Sequence, residues 1–214
     1  MYHGSVATEQ DDEDVACLAA WRAGDRAAGQ RLFARYYDPV ARFFRNKVGD
    51  ASADLIQRTF LACLESLPRF RGDGTFRSYL FAIAYRQLCK NYRARKGDKI
   101  DLTSVSAFAL DPSISGLIAE REEMRIFLAS LREIPLELQV ALELYYWEQC
   151  SVAEIAIALE LPAGTVKSRL YRGRELLRAA IERLAASGDL AERTIDGMET
   201  WARAVRERCW QQQA

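Results

Sequence analysis

One short stretch in the last third of the chain contains most of the residues that are suited to binding a ligand. Between positions 163 and 178 five basic side chains accompany a single acid, Glu175. At about 100° per residue, one side of a helix there carries a polar face with two basic residues at its margins. Such a ridge suits the major groove of DNA, where Arg and Lys reach guanine edges and phosphates. A solvated face is the alternative, and it explains Tyr171 less well. The face comprises Thr165, Ser168, Tyr171 and Arg172, with Lys167 and Arg169 at its margins.

The elements that hold this face are typical of a helix-turn-helix. Ser151 and Glu154 form a capping-box pattern that predicts a helix start. An apolar stripe at helical spacing follows (Val152, Ile155, Ala156, Leu159), and a break at 160–164 separates it from a longer helix. That second helix has its own stripe of Val166, Leu170, Gly173, Leu177 and Ile181. A short helix, a tight turn and a longer helix in this order indicate DNA binding.

A second candidate nucleic-acid segment runs from Phe70 to Lys96. A turn with two glycines opens a long helix on which aromatic and basic residues are interleaved. Aromatics beside a cationic helix stack unpaired bases and hold single strands. Packing in a core is the alternative for these aromatics. The candidate residues are Arg71, Gly72, Asp73, Gly74, Thr75, Phe76, Tyr79, Arg86, Lys90 and Arg93, with Arg95 and Lys96 as further cations.

A helix around 51–66 is a candidate protein-binding element. Its apolar positions predict that Leu55, Phe60 and Leu64 are buried. Its polar residues Asp54, Gln57 and Arg58 are either solvated or contact a protein partner.

Charge is distributed unevenly, although the formal net charge is +0. Residues 22–99 hold 17 Lys and Arg against 7 Asp and Glu, whereas residues 100–145 hold 3 against 8. Five acids and no Lys or Arg lie in residues 1–21. A basic block flanked by acidic stretches favours a polyanion partner for that block, and a solvated helical surface is the alternative.

Several function classes find no support in the residues. The five cysteines include no C-x-x-C pair and the sole histidine is His3, so we expect neither a metal site nor a cofactor. No phosphate loop or catalytic constellation is present, which argues against an enzyme and a small-molecule substrate. No long apolar run or signal peptide is seen, so we expect a soluble, cytoplasmic protein without direct membrane insertion.

Helical periodicity dominates the chain and predicts an all-α fold of two helical domains joined by a flexible linker. Helices are expected near 13–22, 25–47, 51–66, 76–96, 115–131, 136–147, 152–159, 163–185 and 189–210. The last of these is an amphipathic helix that packs back or meets a partner, or else a disordered tail. The predicted units are an acidic N-terminal segment 1–24, a first domain 25–96, a linker 97–118, a second domain 119–186 and an extension 187–214.

The ordered segments resemble those of bacterial sigma factors of the extracytoplasmic-function type, within the sigma-70 family. The stretch 54–60 (DLIQRTF) is similar to the polymerase-binding helix of sigma domain 2. Residues 70–76 (FRGDGTF) with 79–84 (YLFAIA) resemble its promoter-melting and −10-reading segment, and 159–174 resembles the −35-reading helix-turn-helix of domain 4. The resemblance covers roughly residues 25–96 and 120–185. We expect no counterpart here of domains 1 and 3 of the housekeeping sigma factors.

This resemblance implies a non-enzymatic factor that binds core RNA polymerase and promoter DNA, with an anti-sigma factor as a further partner. Asp54, Leu55, Gln57, Arg58 and Phe60 would bind the clamp helices of the largest polymerase subunit. The turn at 71–76 with Arg86 would capture a flipped −10 base, and Lys167, Ser168, Tyr171 and Arg172 would face −35 bases. Three departures stand out: Arg58 replaces a usual glutamate, Tyr79 a usual tryptophan, and Arg86 a common asparagine.

A two-component or quorum-type transcription regulator is the nearest alternative, since such regulators use the same kind of helix-turn-helix. Its N-terminal half would be an α/β domain with alternating strands, and residues 1–100 show no such pattern. Co-purification separates the two, because only a sigma factor is expected to bind core polymerase.

Overall fold

The computed structural model describes residues 9–49, 51–70, 72–97, 101, 104–107 and 122–197. Over these residues the chain is helical, with one isolated antiparallel bridge between Ser106 and Pro135 in place of any strand. The predicted all-α class is confirmed. The helices are α1 (Glu9–Arg22), α2 (Arg26–Arg45), α3 (Ser52–Ser66), α4 (Phe76–Lys96), α5 (Glu122–Glu133), α6 (Leu136–Tyr146), α7 (Val152–Leu159), α8 (Ala163–Leu184) and α9 (Gly188–Asp196), with a short 3-10 turn at Leu67–Arg69.

Helices α1 to α4 form the first bundle, with α2 at its centre. Asp25 starts α2 because its carboxylate accepts hydrogen bonds from the backbone N–H groups of Ala27 and Ala28, at 2.9 and 3.2 Å. The inner faces of α2 and α4 supply large buried side chains, which fill the space against α3. The fully buried side chains on α2 and α4 include Leu32, Tyr36, Phe43, Phe44, Leu80, Phe81 and Leu88, and Leu55 of α3 lies among them.

The acidic N-terminal segment forms a longer helix than its sequence predicts and packs on α2. Its Asp14 is buried and accepts hydrogen bonds from the Tyr36 hydroxyl and, at 2.6 Å, from Arg35. Burial raises the pKa of Asp14, and the bonds from Tyr36 and Arg35 oppose that shift. Trp21 closes the end of the helix with an edge-on contact to Phe33, the ring centroids 5.2 Å apart. Glu13 likewise pairs with Arg35, and Asp11 pairs with Arg77 of α4, so three acids of α1 are bonded to cations of the first bundle.

Helices α5 to α9 form the second bundle. The capping box predicted at Ser151 is present, since its hydroxyl accepts from the Glu154 N–H at 3.2 Å and Glu154 accepts from the Ser151 N–H at 2.8 Å. Glu160 ends α7 in a left-handed conformation with φ of 56°. The predicted stripe of α8 is buried in full, from Val166 to Ile181.

The segments around this bundle are partly described. Residues 104–107 lie beside the start of α6, where the Leu136 N–H donates to the Val105 carbonyl at 2.9 Å, so this part of the predicted linker is held in place. Helix α9 packs on α5 and α8 through Leu190, Ala191 and Thr194. The extension thus folds back over 188–196, while Met198, Trp201 and Val205 lie outside the described residues.

The two bundles share one continuous set of buried side chains, which the prediction of two linked domains does not anticipate. Helix α7 of the second bundle lies along α4 of the first, and this is the largest helix-to-helix contact among the described elements.

Candidate nucleic-acid interface

The exposed side of α8 presents the polar, cationic face that its sequence predicts. Lys167, Ser168 and Arg172 are exposed, and the Tyr171 side chain is 65% exposed. The opposite side of the helix is buried against α6 and α5. The Tyr171 ring projects into water beside cations and does not occupy a core position. An exposed aromatic ring of this kind indicates a surface that binds a partner.

One predicted member of this face is held differently. Arg169 forms an ion pair with Glu137 of α6, and both side chains are largely covered. Its guanidinium is therefore directed to the protein rather than to a ligand. Thr165 is half-buried, and its carbonyl accepts a hydrogen bond of 2.9 Å from the Ser168 hydroxyl. The accessible face is narrower than predicted.

The glycine turn before α4 has the geometry that its residues require. Gly72 has φ of +84°, which side chains other than glycine rarely adopt. Thr75 starts α4 by accepting a hydrogen bond of 3.2 Å from the Ser78 N–H. Asp73 is exposed, and Arg71 lies outside the described residues.

Two aromatic residues predicted to face DNA divide between core and surface. Phe76 is buried and packs edge-on against Tyr36, so it supports the turn from below and offers no surface to a base. Tyr79 is half-buried and lies against Phe70, with ring centroids 4.5 Å apart. For Phe76 the alternative of packing in the core is therefore the correct one, and it is not a DNA-facing residue, because its position on α4 points into the bundle.

The cations of α4 lie on its exposed side. Arg86, Lys90 and Arg93 are exposed and recur at spacings of four and three residues, which places them on one flank of the helix. Arg86 donates a hydrogen bond of 2.6 Å to Glu160, at the turn of the helix-turn-helix. The flank therefore meets the second bundle at its N-terminal end.

Helix α3 presents an apolar groove together with α2. Leu55 is only 1% exposed, buried as its apolar spacing predicts, so it has no surface for the direct partner contact that the resemblance implies. Leu64 was also predicted to be buried, and that prediction is wrong because Leu64 is 46% exposed. Phe60 stacks on Tyr37 beside Leu61, which is 56% exposed. The groove holds about 530 Å³ and includes Gln57 at its edge. Asp54 and Arg58 pair with each other on the outer side at 2.9 Å.

Charged residues that join the bundles are the feature that sequence reasoning missed. Arg42 forms two parallel bonds to Glu148, at 2.8 and 2.9 Å, and Lys47 pairs with Glu143. All four side chains are 7% exposed or less. The available signal is a charge inside an apolar run, as in the segment 40–48 (VARFFRNKV) and in 140–147 (VALELYYW).

Within the described ranges, no group of three or more His, Cys, Asp and Glu side chains is arranged to hold a metal ion. Over the same ranges, no helix is both long and apolar enough to cross a membrane.

Known proteins match this chain in both halves. A family model described as sigma-70 region 2 matches residues 32–98, and one described as sigma-70, region 4 matches residues 124–177. An ECF RNA polymerase sigma-E factor of Salmonella typhimurium is 30% identical over 184 residues, covering 80% of this chain and 95% of that protein.

Two solved structures share the fold. CnrH in complex with the cytosolic domain of CnrY has a TM-score of 0.59 at 22% identity, covering 81% of this chain and 99% of CnrH. The sigma factor RpoE of Bartonella quintana, in complex with the anti-sigma factor NepR, has a TM-score of 0.53 at 21% identity, covering 73% of this chain and 98% of RpoE. Both family regions occur in order, and a relative matches over nearly its whole length, so this chain belongs to the sigma-70 family as an extracytoplasmic-function sigma factor that acts in promoter recognition and transcription initiation.

Proposed function

We propose that the chain divides promoter recognition between its two bundles, with α8 reading the −35 element and the turn before α4 reading the −10 element. The observation that carries this proposal is the exposed face of α8, where Tyr171 and Arg172 project opposite a fully buried stripe. A helix held by its partner helix and exposing cations along one side fits the major groove.

The first bundle supplies the other two contacts. The open groove between α2 and α3 is an apolar, aromatic-lined surface of the kind that accepts a helix, and the polymerase clamp helices are its partner in this proposal. The turn at 72–75 with Arg86 selects the base, while Lys90 and Arg93 hold the backbone of the melted strand. Gly72 permits the sharp turn that brings backbone close to the strand.

The chemistry of transcription belongs to the polymerase in this proposal, so the sigma chain itself carries out no catalysis and works in the cytoplasm. An anti-sigma factor is proposed as its regulator. RpoE, which shares the fold, is found in complex with the anti-sigma factor NepR, and CnrH, which shares it too, is found in complex with the cytosolic domain of CnrY.

Transcription with purified components tests the proposal. Core polymerase, this chain and total genomic DNA are expected to yield transcripts with discrete start sites, and core polymerase alone serves as the control. Start sites that share no upstream sequence, or failure of the chain to bind core polymerase, would contradict it. A response-regulator mode would instead show the chain bound to specific DNA without polymerase.

A further inference from the structure

The end of helix α1 is seated on α2 by the fit of Trp21 over Gly29. A Cβ atom added at Gly29 would lie 2.7 Å from the indole ring, so the two helices approach as closely as glycine allows. The same ring contacts Phe33 edge-on. The next residue, Arg22, ends α1 at a place on the first bundle that this fit defines.

Arg22 reaches the residue that opens the turn before α4. Phe70 follows the 3-10 turn in an extended conformation, with φ of −68° and ψ of 112°, so its carbonyl lies outside the helical hydrogen-bond pattern. The Arg22 guanidinium donates a hydrogen bond to that carbonyl and lies over the Phe70 ring, 5.7 Å from its centroid. One side chain of α1 therefore binds both the backbone and the ring of Phe70.

The contact continues from Phe70 to Tyr79, a candidate −10 residue. The two ring centroids are 4.5 Å apart, and the Tyr79 hydroxyl shares a hydrogen bond with the Ser66 hydroxyl. Burial raises the pKa of Tyr79, while its bond to Ser66 and the nearby cations Arg86 and Arg22 oppose that shift. Arg22, Phe70 and Tyr79 thus form a chain of contacts from α1 to α4 across the start of the turn.

The far side of the turn is bonded to α1 as well. Asp11 accepts a hydrogen bond of 2.9 Å from Arg77, in the first turn of α4. The segment 71–76 is therefore tied to α1 through the residue before it and the residue after it. Both ends of the turn are held to one helix.

A recognition turn is more selective when its backbone is already held in the shape of the bound state, because it then loses less freedom on binding. The Arg22 guanidinium is bonded to Phe70, which suits it to holding the turn rather than to contacting a base. We propose that Arg22 is a positioning residue for −10 selectivity, acting through Phe70 and Tyr79 to keep the turn in the conformation that accepts the preferred base. The proposal rests on the proposed function of the turn and gives α1 a part in promoter reading.

Substitutions at Arg22 test this in the full chain bound to core polymerase. Promoters found by mapping start sites are given single substitutions in the −10 or in the −35 element, and run-off transcription ranks them. Arg22→Ala removes both contacts to Phe70, whereas Arg22→Lys keeps the charge and a donor for the carbonyl. The control, Arg26→Ala, removes an exposed cation at the start of α2.

Discrimination against −10 substitutions is expected to fall about fivefold or more in Arg22→Ala, as when one base contact is weakened. Discrimination among −35 substitutions and affinity for core polymerase should match the parent, which shows that the chain is folded. Arg22→Lys is expected to recover most of the −10 discrimination, and Arg26→Ala to behave as the parent. Full −10 discrimination in Arg22→Ala, or a lysine variant no better than the alanine variant, would overturn the proposal.

Salt dependence separates positioning from a direct contact with phosphate. Binding of a single-stranded fragment of the −10 sequence to the polymerase complex is measured over a range of salt. A positioning residue leaves the salt slope as it is in the parent. A slope reduced by about 1 in Arg22→Ala would mean that Arg22 itself contacts phosphate, and would overturn the positioning role.

Asp73→Ala, a change at an exposed position of the turn, is measured alongside. If this variant ranks the −10 substitutions as the parent does, the proposed function of the turn fails and the positioning role fails with it. If Asp73→Ala alters the ranking while Arg22→Ala does not, the positioning role alone is overturned.

Discussion

The polar side chains of α8 fall into two groups, those that are exposed to solvent and those that are bonded to other parts of the protein. The polarity of 163–178 was enough to predict an exposed cationic face, because burial on a helix follows from its apolar stripe. The sequence placed Arg169 at the margin of this face beside Lys167 and did not predict its ion pair, because the partner carboxylate, Glu137, is supplied by a different helix. Local pattern therefore predicts the face, and packing selects its members.

Recognition of the −35 element is expected to depend on Lys167 and Arg172. Replacing either with alanine removes an exposed cation and should cost about 1–3 kcal/mol of discrimination if the side chain contacts a base edge. Run-off transcription from promoters with single −35 substitutions measures this loss. Arg178→Ala is the matched control, since it removes the same charge farther along α8 and should leave the ranking of promoters unchanged. An unchanged ranking in the Lys167 and Arg172 variants would refute their assignment.

Gly72 is a second residue whose role follows from its conformation. Alanine at φ of +84° is strained by roughly 1–2 kcal/mol, so Gly72→Ala is expected to lower the free energy of unfolding by that amount. Gly164→Ala is the comparison, because Gly164 lies in a helix with open space around it and alanine should there be neutral or slightly stabilising. Urea denaturation of both variants checks the difference, and equal stabilities would contradict the strain.

At the scale of elements, α3 shows where periodicity misleads. Its inner stripe of Leu55, Ile56 and Cys63 is buried, while Phe60, Leu61 and Leu64 form a second apolar stripe on the groove side. One sequence cannot say which stripe faces the core until the other helices are placed. The prediction for Leu64 was wrong for this reason, and its exposure turns an expected core residue into a candidate contact.

The groove gives a prediction about polymerase binding. Leu61→Glu places a charge in an apolar contact and is expected to weaken binding to core polymerase by about 2 kcal/mol or more, as for a central interface residue. The fold should persist because Leu61 is already exposed. Ala19→Glu adds the same carboxylate at an exposed site on α1 and should bind as the parent does. Fluorescence titration of labelled core polymerase compares the three, and full affinity of Leu61→Glu would exclude the groove.

At the scale of the whole molecule, the sequence did not predict that the two bundles pack against each other. The ion pairs between them join residues 96 and 106 positions apart, and a charged residue on a helix is usually read as solvated. Burial lowers the pKa of Lys47, opposed by Glu143, and it raises the pKa of Glu148 against the pull of Arg42. The balanced net charge of the chain is therefore partly an internal neutralisation of one bundle by the other.

Glu143→Gln tests whether these pairs hold the bundles together. Glu143 accepts bonds from Lys47, Asn46 and Gln139, and its loss leaves the ammonium of Lys47 buried without its counter-charge. Breaking a buried pair in this way costs about 3–5 kcal/mol, which separation of the bundles relieves because Lys47 then reaches water. Calorimetry is expected to show one unfolding transition in the parent and two in the variant, with Glu182→Gln behaving as the parent.

In the Glu143→Gln variant the two bundles are also expected to come back into contact as the pH rises. The lowered pKa of Lys47 means that the closed state, in which the bundles are in contact, binds fewer protons than the open state at this site, so closure strengthens with pH between the lowered pKa and the ordinary value of 10.5. Without Glu143 to oppose desolvation, the pKa of Lys47 in the closed state is lowered further, so the pH range over which closure strengthens is wider. Small-angle X-ray scattering of Glu143→Gln should therefore show a chain that contracts toward the parent's radius as the pH approaches 10, whereas the parent stays compact over the same range. A variant that stays expanded, or one that melts in a single transition at every pH, would show that Lys47 and Glu143 do not control the contact.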